Sequence, residues 1–450
     1  MKRFWLVLLS LGLVLAFSAS AMAVDVKFSG EFYVAGMYLD KTNLVKDTAA
    51  DGPSTAFYYQ RLRVRTDFVV SPGLTLITRF DAMERVWGGA RGESAASTTA
   101  GSDLDSAGTK TENQNIAFDW AYINYVSPIG IFDIGLMEDG RTGTVFGDSY
   151  TTAGRIKWNN TFGPFTLKAD ITKVKDTSNT AITTATAADV DDDKYGVEGV
   201  YQWKDGKAGM KVTYYRYASK RVPVATGYQK TYWQFTPYTI AKIGPVDIQA
   251  ELNWAKGKLQ DTDTGSSTPN KDLDNLSGWI DATAVFGPVY FGGTFAYVSG
   301  DDPGSKDKQE GGTLTGGRDW MPCLIMWNYD RTNWAGPLNG YTGGTTTAAQ
   351  DTAMSNAWFF QGRAGVKPVA ALDIMASVSY ANADKKPTAA WLYNSYGWEV
   401  DVTGTYKITN NLSYMLGVGY LFTGDYYKAE SDANKIGNDY LVINKLTLTF

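Results

Sequence analysis

The chain has 450 residues, a formal charge of −5 and no histidine. The missing histidine excludes Ser–His and Cys–His nucleophile pairs, His-ligated zinc and self-supplied His ligation of haem. The mildly acidic balance gives no reason to expect a nucleic-acid partner, and the single cysteine, Cys323, allows no intrachain disulfide.

The chain begins MKRFWLVLLSLGLVLAFSASAMA. Lys2 and Arg3 form a basic start, 4–17 is nearly all apolar, and Ala21-Met22-Ala23 is an A-x-A cleavage site. Residues 1–23 therefore read as a cleaved secretory signal peptide, and 24–450 as one exported domain. Removing Lys2 and Arg3 leaves a charge of about −7. No later segment approaches the ~20 consecutive apolar residues that a spanning helix needs.

From Val24 onward the pattern predicts about eighteen strands, with sixteen as the alternative count, most showing period-2 alternation. In the first strand Val26, Phe28, Phe32, Val34 and Tyr38 share one face, opposite Asp25, Lys27, Ser29 and Glu31. The stretch FYYQRLRVRTDFVV (57–70) puts Arg61, Arg63, Arg65 and Asp67 on one face and Tyr58, Leu62, Val64, Phe68 and Val70 on the other. A soluble sandwich buries the apolar face, whereas a membrane barrel turns it to lipid and the charged face to a wet lumen. The next strand offers Leu74, Leu76 and Phe80 against Arg79, Asp81 and Arg85. Later strands repeat the pattern. Ile248, Leu252 and Trp254 oppose Asp247, Glu251 and Asn253. Asp281 and Asp373 also fall on polar faces, and Trp398, Val400 and Val402 oppose Glu399 and Asp401.

Short turns such as Ser71-Pro72-Gly73 and Phe162-Gly163-Pro164 alternate strictly with long polar connections. This is the plan of an outer-membrane barrel, with short periplasmic turns and long extracellular loops. The longest connection, 300–356, contains WMPCLIMWNYD, with Trp320, Cys323 and Trp327. Such an apolar run is not expected to lie in water. Three readings are open: a narrowing or plug in the lumen, a dock on a neighbouring subunit, or a local cluster under its own loop. Apolar neighbours favour burial of Cys323. Asp191-Asp192-Asp193 reads as a solvated charge run rather than a cation site. Tyr38, Trp120, Trp203, Trp254 and Tyr420 read as aromatic girdles. Inward aromatics, such as Tyr59 and Tyr215, look scattered.

The last strand, DYLVINKLTLTF (439–450), puts Leu446, Leu448 and Phe450 on one face and Lys445, Thr447 and Thr449 on the other. Here the chain resembles the Gram-negative outer-membrane β-barrels, whose last strand ends in a Phe read by the barrel-assembly machinery. Within that class its size and strand count resemble a porin, and its arrangement resembles porins of delta-proteobacterial type. The resemblance covers the whole mature chain as architecture. It implies an outer-membrane location, contact with outer-membrane lipids, a homotrimeric state as one option and no cofactor or metal. In the resembling trimeric porins the third loop folds into the barrel. Here that segment, 139–153, is short for the role, so 300–356 is the better candidate for the constriction.

The expectation is thus an all-β, single transmembrane antiparallel up-and-down barrel. Its basic lumen row is Arg61, Arg63, Arg65, Arg79 and Arg85. Its acidic row is Asp247, Glu251, Asp281, Glu399 and Asp401, across the pore, where the two rows would set up a transverse field. Facing the arginines toward lipid would cost roughly 2–4 kcal/mol each near the midplane. The leading function is passive diffusion of small hydrophilic solutes or ions with charge selection by the lumen. The alternatives are a substrate-specific channel, for an anionic metabolite or oligosaccharide, and a structural barrel sheathing an electron-transfer partner. A soluble exported β protein is the remaining rival. No enzyme is expected, since no nucleophile–base pair is evident.

Overall fold

The computed structural model describes residues 24–46, 52–88, 116–147, 151–177, 190–221, 224–312, 314, 319–344, 346–350 and 353–450. The expected signal peptide lies outside them. Thirteen strands run in chain order: β1 (Asp25–Leu39), β2 (Thr55–Ser71), β3 (Leu74–Val86), β4 (Ile116–Ser127), β5 (Gly130–Glu138), β6 (Thr152–Phe162), β7 (Phe165–Lys175), β8 (Asp192–Trp203), β9 (Gly206–Tyr217), β10 (Tyr228–Ile243), β11 (Val246–Thr262), β12 (Lys271–Phe286) and β13 (Val289–Val298). The long connection that follows carries the two-residue β14 (Lys308–Gln309), helix α1 (Tyr329–Ala335) and the hairpin of β15 (Leu338–Gly343) and β16 (Thr346–Gln350). Five more wall strands complete the chain: β17 (Ala357–Val369), β18 (Leu372–Asn382), β19 (Ser395–Lys407), β20 (Leu412–Thr423) and β21 (Asp439–Thr449).

Every wall strand pairs antiparallel with its neighbours, β13 pairs with β17, and β21 pairs back to β1 from Glu31↔Thr449 to Leu39↔Leu441. The result is a closed 18-stranded up-and-down barrel, the expected fold and strand count. Closure satisfies every edge, which a sheet spanning lipid requires. Among the described residues no helix is long and apolar enough to cross a membrane. Outward positions carry the exposed apolar side chains, including Phe28, Leu76, Ile171, Phe291, Val402 and Leu448. An exposed apolar belt on a closed barrel is the signature of an outer-membrane protein.

The seam between the ends is tight. Gly30 N–H donates to the Phe450 carbonyl at 2.8 Å, and Phe450 N–H donates back to Gly30 at 3.1 Å. A Cβ on Gly30 would lie 2.7 Å from the Phe450 ring and 2.3 Å from the Arg63 carbonyl oxygen, so glycine is what lets the last residue close the wall.

Two bulges invert faces that simple alternation assigns. Met83 has φ 56°, and the β2–β3 register shifts beside it, pairing Arg85 with Gln60 and Val86 with the buried Tyr59. Val86, not Arg85, continues the inward row, so Arg85 leaves the basic ladder. In β4 the register slips between Phe118 and Trp120, turning Trp120 into the lumen, where the Arg79 guanidinium sits 3.5 Å from its ring centroid. Trp120 is therefore not a girdle residue. Bulges act this way because one extra residue shifts a period-2 pattern by one.

We expect Gly30→Val to destabilise the barrel by about 1–3 kcal/mol, the usual cost of overpacking. The check is its urea midpoint in detergent beside that of the wild type.

Candidate functional site: a lumen narrowed by two inserted loops

The described parts of the third loop (139–147) and of the seventh (319–344) both pack inside the barrel. The seventh was the expected one. Trp320, Cys323 and Trp327 are all buried there, in one core with inward residues of the wall such as Tyr33, Met37, Tyr59, Phe359 and Leu441. Residues 320–330 thus pack against the inner wall of the barrel, so their apolar surface is covered within the chain. Trp327 packs edge-on to Phe359 and Tyr396, at 5.6 and 5.8 Å between centroids. Burial pushes the Cys323 thiol pKa well above its ordinary value, which leaves it protonated and unreactive.

Helix α1 carries the loop across to the opposite seam. Asn328 caps it: its side-chain oxygen accepts from Arg331 N–H at 2.9 Å, and its amide donates to the Cys323 carbonyl at 2.9 Å. Trp334 stacks on Tyr59 of β2 at 4.8 Å. The fully buried Arg331 faces Asp439 of β21 at 3.8 Å and donates to the Gly336 carbonyl at 2.9 Å. Lys445 reaches Asp330 at 3.6 Å.

The third loop is short, yet it crosses to β11 and β12. Phe146 is fully buried, stacks on Trp279 at 5.7 Å, and meets Trp320 of the seventh loop edge-on at 5.2 Å. Arg141 bridges the two loops through Asp319 at 3.4 Å. Short as it is, this loop is held against the wall by an aromatic anchor and by the bonds of Thr144 to Glu251.

The acidic row has a use that the sequence did not reveal. Glu251 is buried and accepts from Thr144 N–H at 2.7 Å and from the Thr144 hydroxyl at 2.9 Å. A Cβ on Gly143 or Gly147 would come within 2.5 or 2.4 Å of its oxygens, so only glycine brings the third loop this close. Glu399, with no exposed surface, accepts from Ile325 N–H at 2.6 Å and Met326 N–H at 2.8 Å. Asp401 lies beside it and accepts from Leu324 N–H at 3.4 Å. Asp281 is held in a two-pronged ion pair by Arg363, at 2.6 and 2.8 Å. Asp247 sits near the short-turn end with Lys242 at 3.0 Å, both half exposed. These carboxylates do not form a free wall facing open water. Glu251, Glu399 and Asp401 are anchors for inserted backbone.

The basic row is a ladder of ion pairs. Arg61 meets Glu31 at 3.3 Å, Arg63 clasps Asp81 at 2.7 and 2.6 Å, and Arg65 holds Asp67 at 2.7 Å. Arg79 holds Asp119. The ladder continues past the residues singled out in the sequence. Arg155 reaches Asp170 at 3.0 Å, Lys168 reaches Glu198 at 3.1 Å, and Lys211 reaches Asp170 at 3.3 Å. Here a cavity of about 140 Å³ opens beside the third loop. Among the described residues Arg141, Arg155, Lys157, Lys168 and Lys211 line it with Glu138, Asp170 and Glu198, and Asp319, Asp139 and Asp133 pair with Arg141, Arg155 and Lys157 from outside the lining. Arg155, Lys157, Lys168, Lys194 and Lys211 lie outside the basic row read from the sequence, although each sits at alternate spacing from another polar position.

Comparison with solved structures agrees with this architecture. A BenF-like porin from Pseudomonas fluorescens Pf-5 superposes with a TM-score of 0.51 at 10% identity, covering 94% of this chain and 99% of that one. The outer membrane protein opdK from Pseudomonas aeruginosa gives 0.50 at 12% identity, with 94% and 99% covered. No family model and no curated protein matches the sequence. At this identity the likeness establishes the fold: the chain has the closed 18-stranded barrel of these outer-membrane proteins.

Glu399→Ala strands two buried N–H groups, at about 1–3 kcal/mol each. The expected result is a loosened seventh loop, read as faster proteolytic nicking within 319–344 and larger, noisier single-channel current. Cys323 should stay unlabelled by a maleimide in the folded barrel and react only after denaturation.

Proposed function

We propose that this protein is an outer-membrane channel for small anionic solutes, selected in a lumen that two inserted loops narrow. The observation that carries the reading is the concentration of basic side chains at the narrowing: Arg141, Arg155, Lys157, Lys168 and Lys211 all line one cavity beside the third loop, with Asp319, Asp139 and Asp133 pairing three of them from its edge. Rings or ladders of like charge at a narrowing are how pores discriminate ions. Low-dielectric walls focus such a field further. The inward packing of the third and seventh loops favours a selective channel over an open diffusion pore. The sheath reading has less support, since the barrel's own loops fill the space that a partner chain would take.

The test is the reversal potential of the reconstituted channel in a salt gradient. Anion preference is expected, and Lys168→Gln combined with Lys211→Gln should shift it toward cations. Cation preference in the wild type would overturn the proposal.

A further inference from the structure

Above the third loop, on its long-loop side, lies a second and larger cavity of about 310 Å³ between β9–β12 and the Gln309–Gly312 part of the seventh loop. Its chemistry differs from that of the cationic one. Lys230 is its single charged residue; the other lining side chains are amides, a serine, tyrosines and a few aliphatics. Tyr215 and Tyr232 stack at 4.4 Å between centroids and 12° between planes, and Tyr217 sits edge-on to both. Tyr217 and Tyr232 face the cavity.

The amides are fixed in place. Tyr215 hydroxyl donates to Gln234 at 3.0 Å, Gln234 donates to Asn253 at 3.1 Å, and Thr236 donates to the same Asn253 oxygen at 2.7 Å. Asn253 in turn donates to Glu251 at 2.8 Å, the carboxylate that pins the third loop. The network that shapes this chamber therefore ends on the group that shapes the constriction. Such a pre-ordered set of donors and acceptors costs little to reorganise when a ligand arrives.

The chamber is in series with the cationic one. A narrow space of about 60 Å³ shares Gly147, Gln234 and Asn253 with the upper cavity, and it shares Thr142, Asp170 and Lys211 with the lower. A solute moving along this route meets amides, ring faces and Lys230 first, then the cluster of basic side chains. A bare small anion can accept from the amides and Lys230 but leaves the ring faces uncovered. An apolar aromatic acid would leave its amides unpaired, which is costly once they are dehydrated. A hydroxylated ring bearing a carboxylate suits both. Its C–H face lies on tyrosine rings, its hydroxyls exchange hydrogen bonds with amides, and its carboxylate leads into the cationic cavity.

We infer that the upper cavity is a binding station for the ring of a sugar acid. This rests on the anion-channel reading and narrows it to a substrate class. The test uses single-channel current in potassium chloride with added D-glucuronate, D-glucose or acetate. Glucuronate should interrupt the current about tenfold more often than either of the others at equal concentration. Asn275→Leu, which keeps volume and removes the amide, and Tyr232→Ala should each lower the glucuronate-to-acetate ratio by about tenfold, the scale of one lost hydrogen bond or ring contact. Heat-modifiable electrophoretic migration checks that both variants have folded; if one has not, the other decides. An anion-selective channel that treats glucuronate no better than acetate overturns the inference and leaves the anion-channel reading standing. An unchanged ratio in the folded variants also overturns it. A cation-selective wild type overturns both.

Discussion

Inserted backbone needs hydrogen-bond acceptors, and that requirement organises this molecule. A loop that folds into a barrel takes its N–H groups away from water, and each must find a partner. The barrel wall has none to spare, since its own backbone is consumed by the ladder. Side-chain carboxylates supply them instead: Glu251 for the third loop and Glu399 with Asp401 for the seventh. A carboxylate accepts several such bonds at once, and charge-assisted bonds are the stronger kind. The constriction is thus built on three acidic residues that alternation alone would place along an open channel.

That use of the acids makes the lumen asymmetric. On the side of β11 and β17–β21 the wall is covered by loop and aromatic packing. On the side of β5–β9 the cations line a cavity together with their carboxylate partners. The ion pairs along β2–β4 are better read as register devices. Arg63 with Asp81 and Arg79 with Asp119 join neighbouring strands at fixed heights, and a one-residue slip would break them and turn apolar side chains into the lumen. Charge that selects solutes and charge that fixes the wall are both arginine and lysine in the sequence. What separates them is the cavity that opens beside the second group.

Some of the inserted plug was legible. Inward positions near the long-loop end of several strands are apolar, where a wet lumen calls for polar groups: Met37 and Leu39 in β1, Tyr59 in β2, Leu441 and Ile443 in β21. Apolar character on both faces of 33–39 is the mark of a strand whose inner face is covered. The apolar run at 320–330 is the other half of the same signal. The tyrosine group of Tyr215, Tyr217 and Tyr232 looked scattered because its members lie on two strands, and only the pairing of β9 with β10 stacks them.

The sequence by itself determined the class of fold. Lipid on one side and water on the other impose a period of two on every strand, and each turn chemistry announces its end, so architecture, strand count and membrane orientation of the faces follow from local pattern. The tertiary structure alone decided which lumen charges are spent on loops and which remain for solutes. It also decided where bulges at Met83 and around Asp119 reverse the faces of Arg85 and Trp120, and how three cavities line up in series. Those outcomes depend on contacts between residues tens to hundreds of positions apart, such as Thr144 with Glu251 and Ile325 with Glu399. A period-2 pattern carries the side of a residue, but not its partner across the lumen.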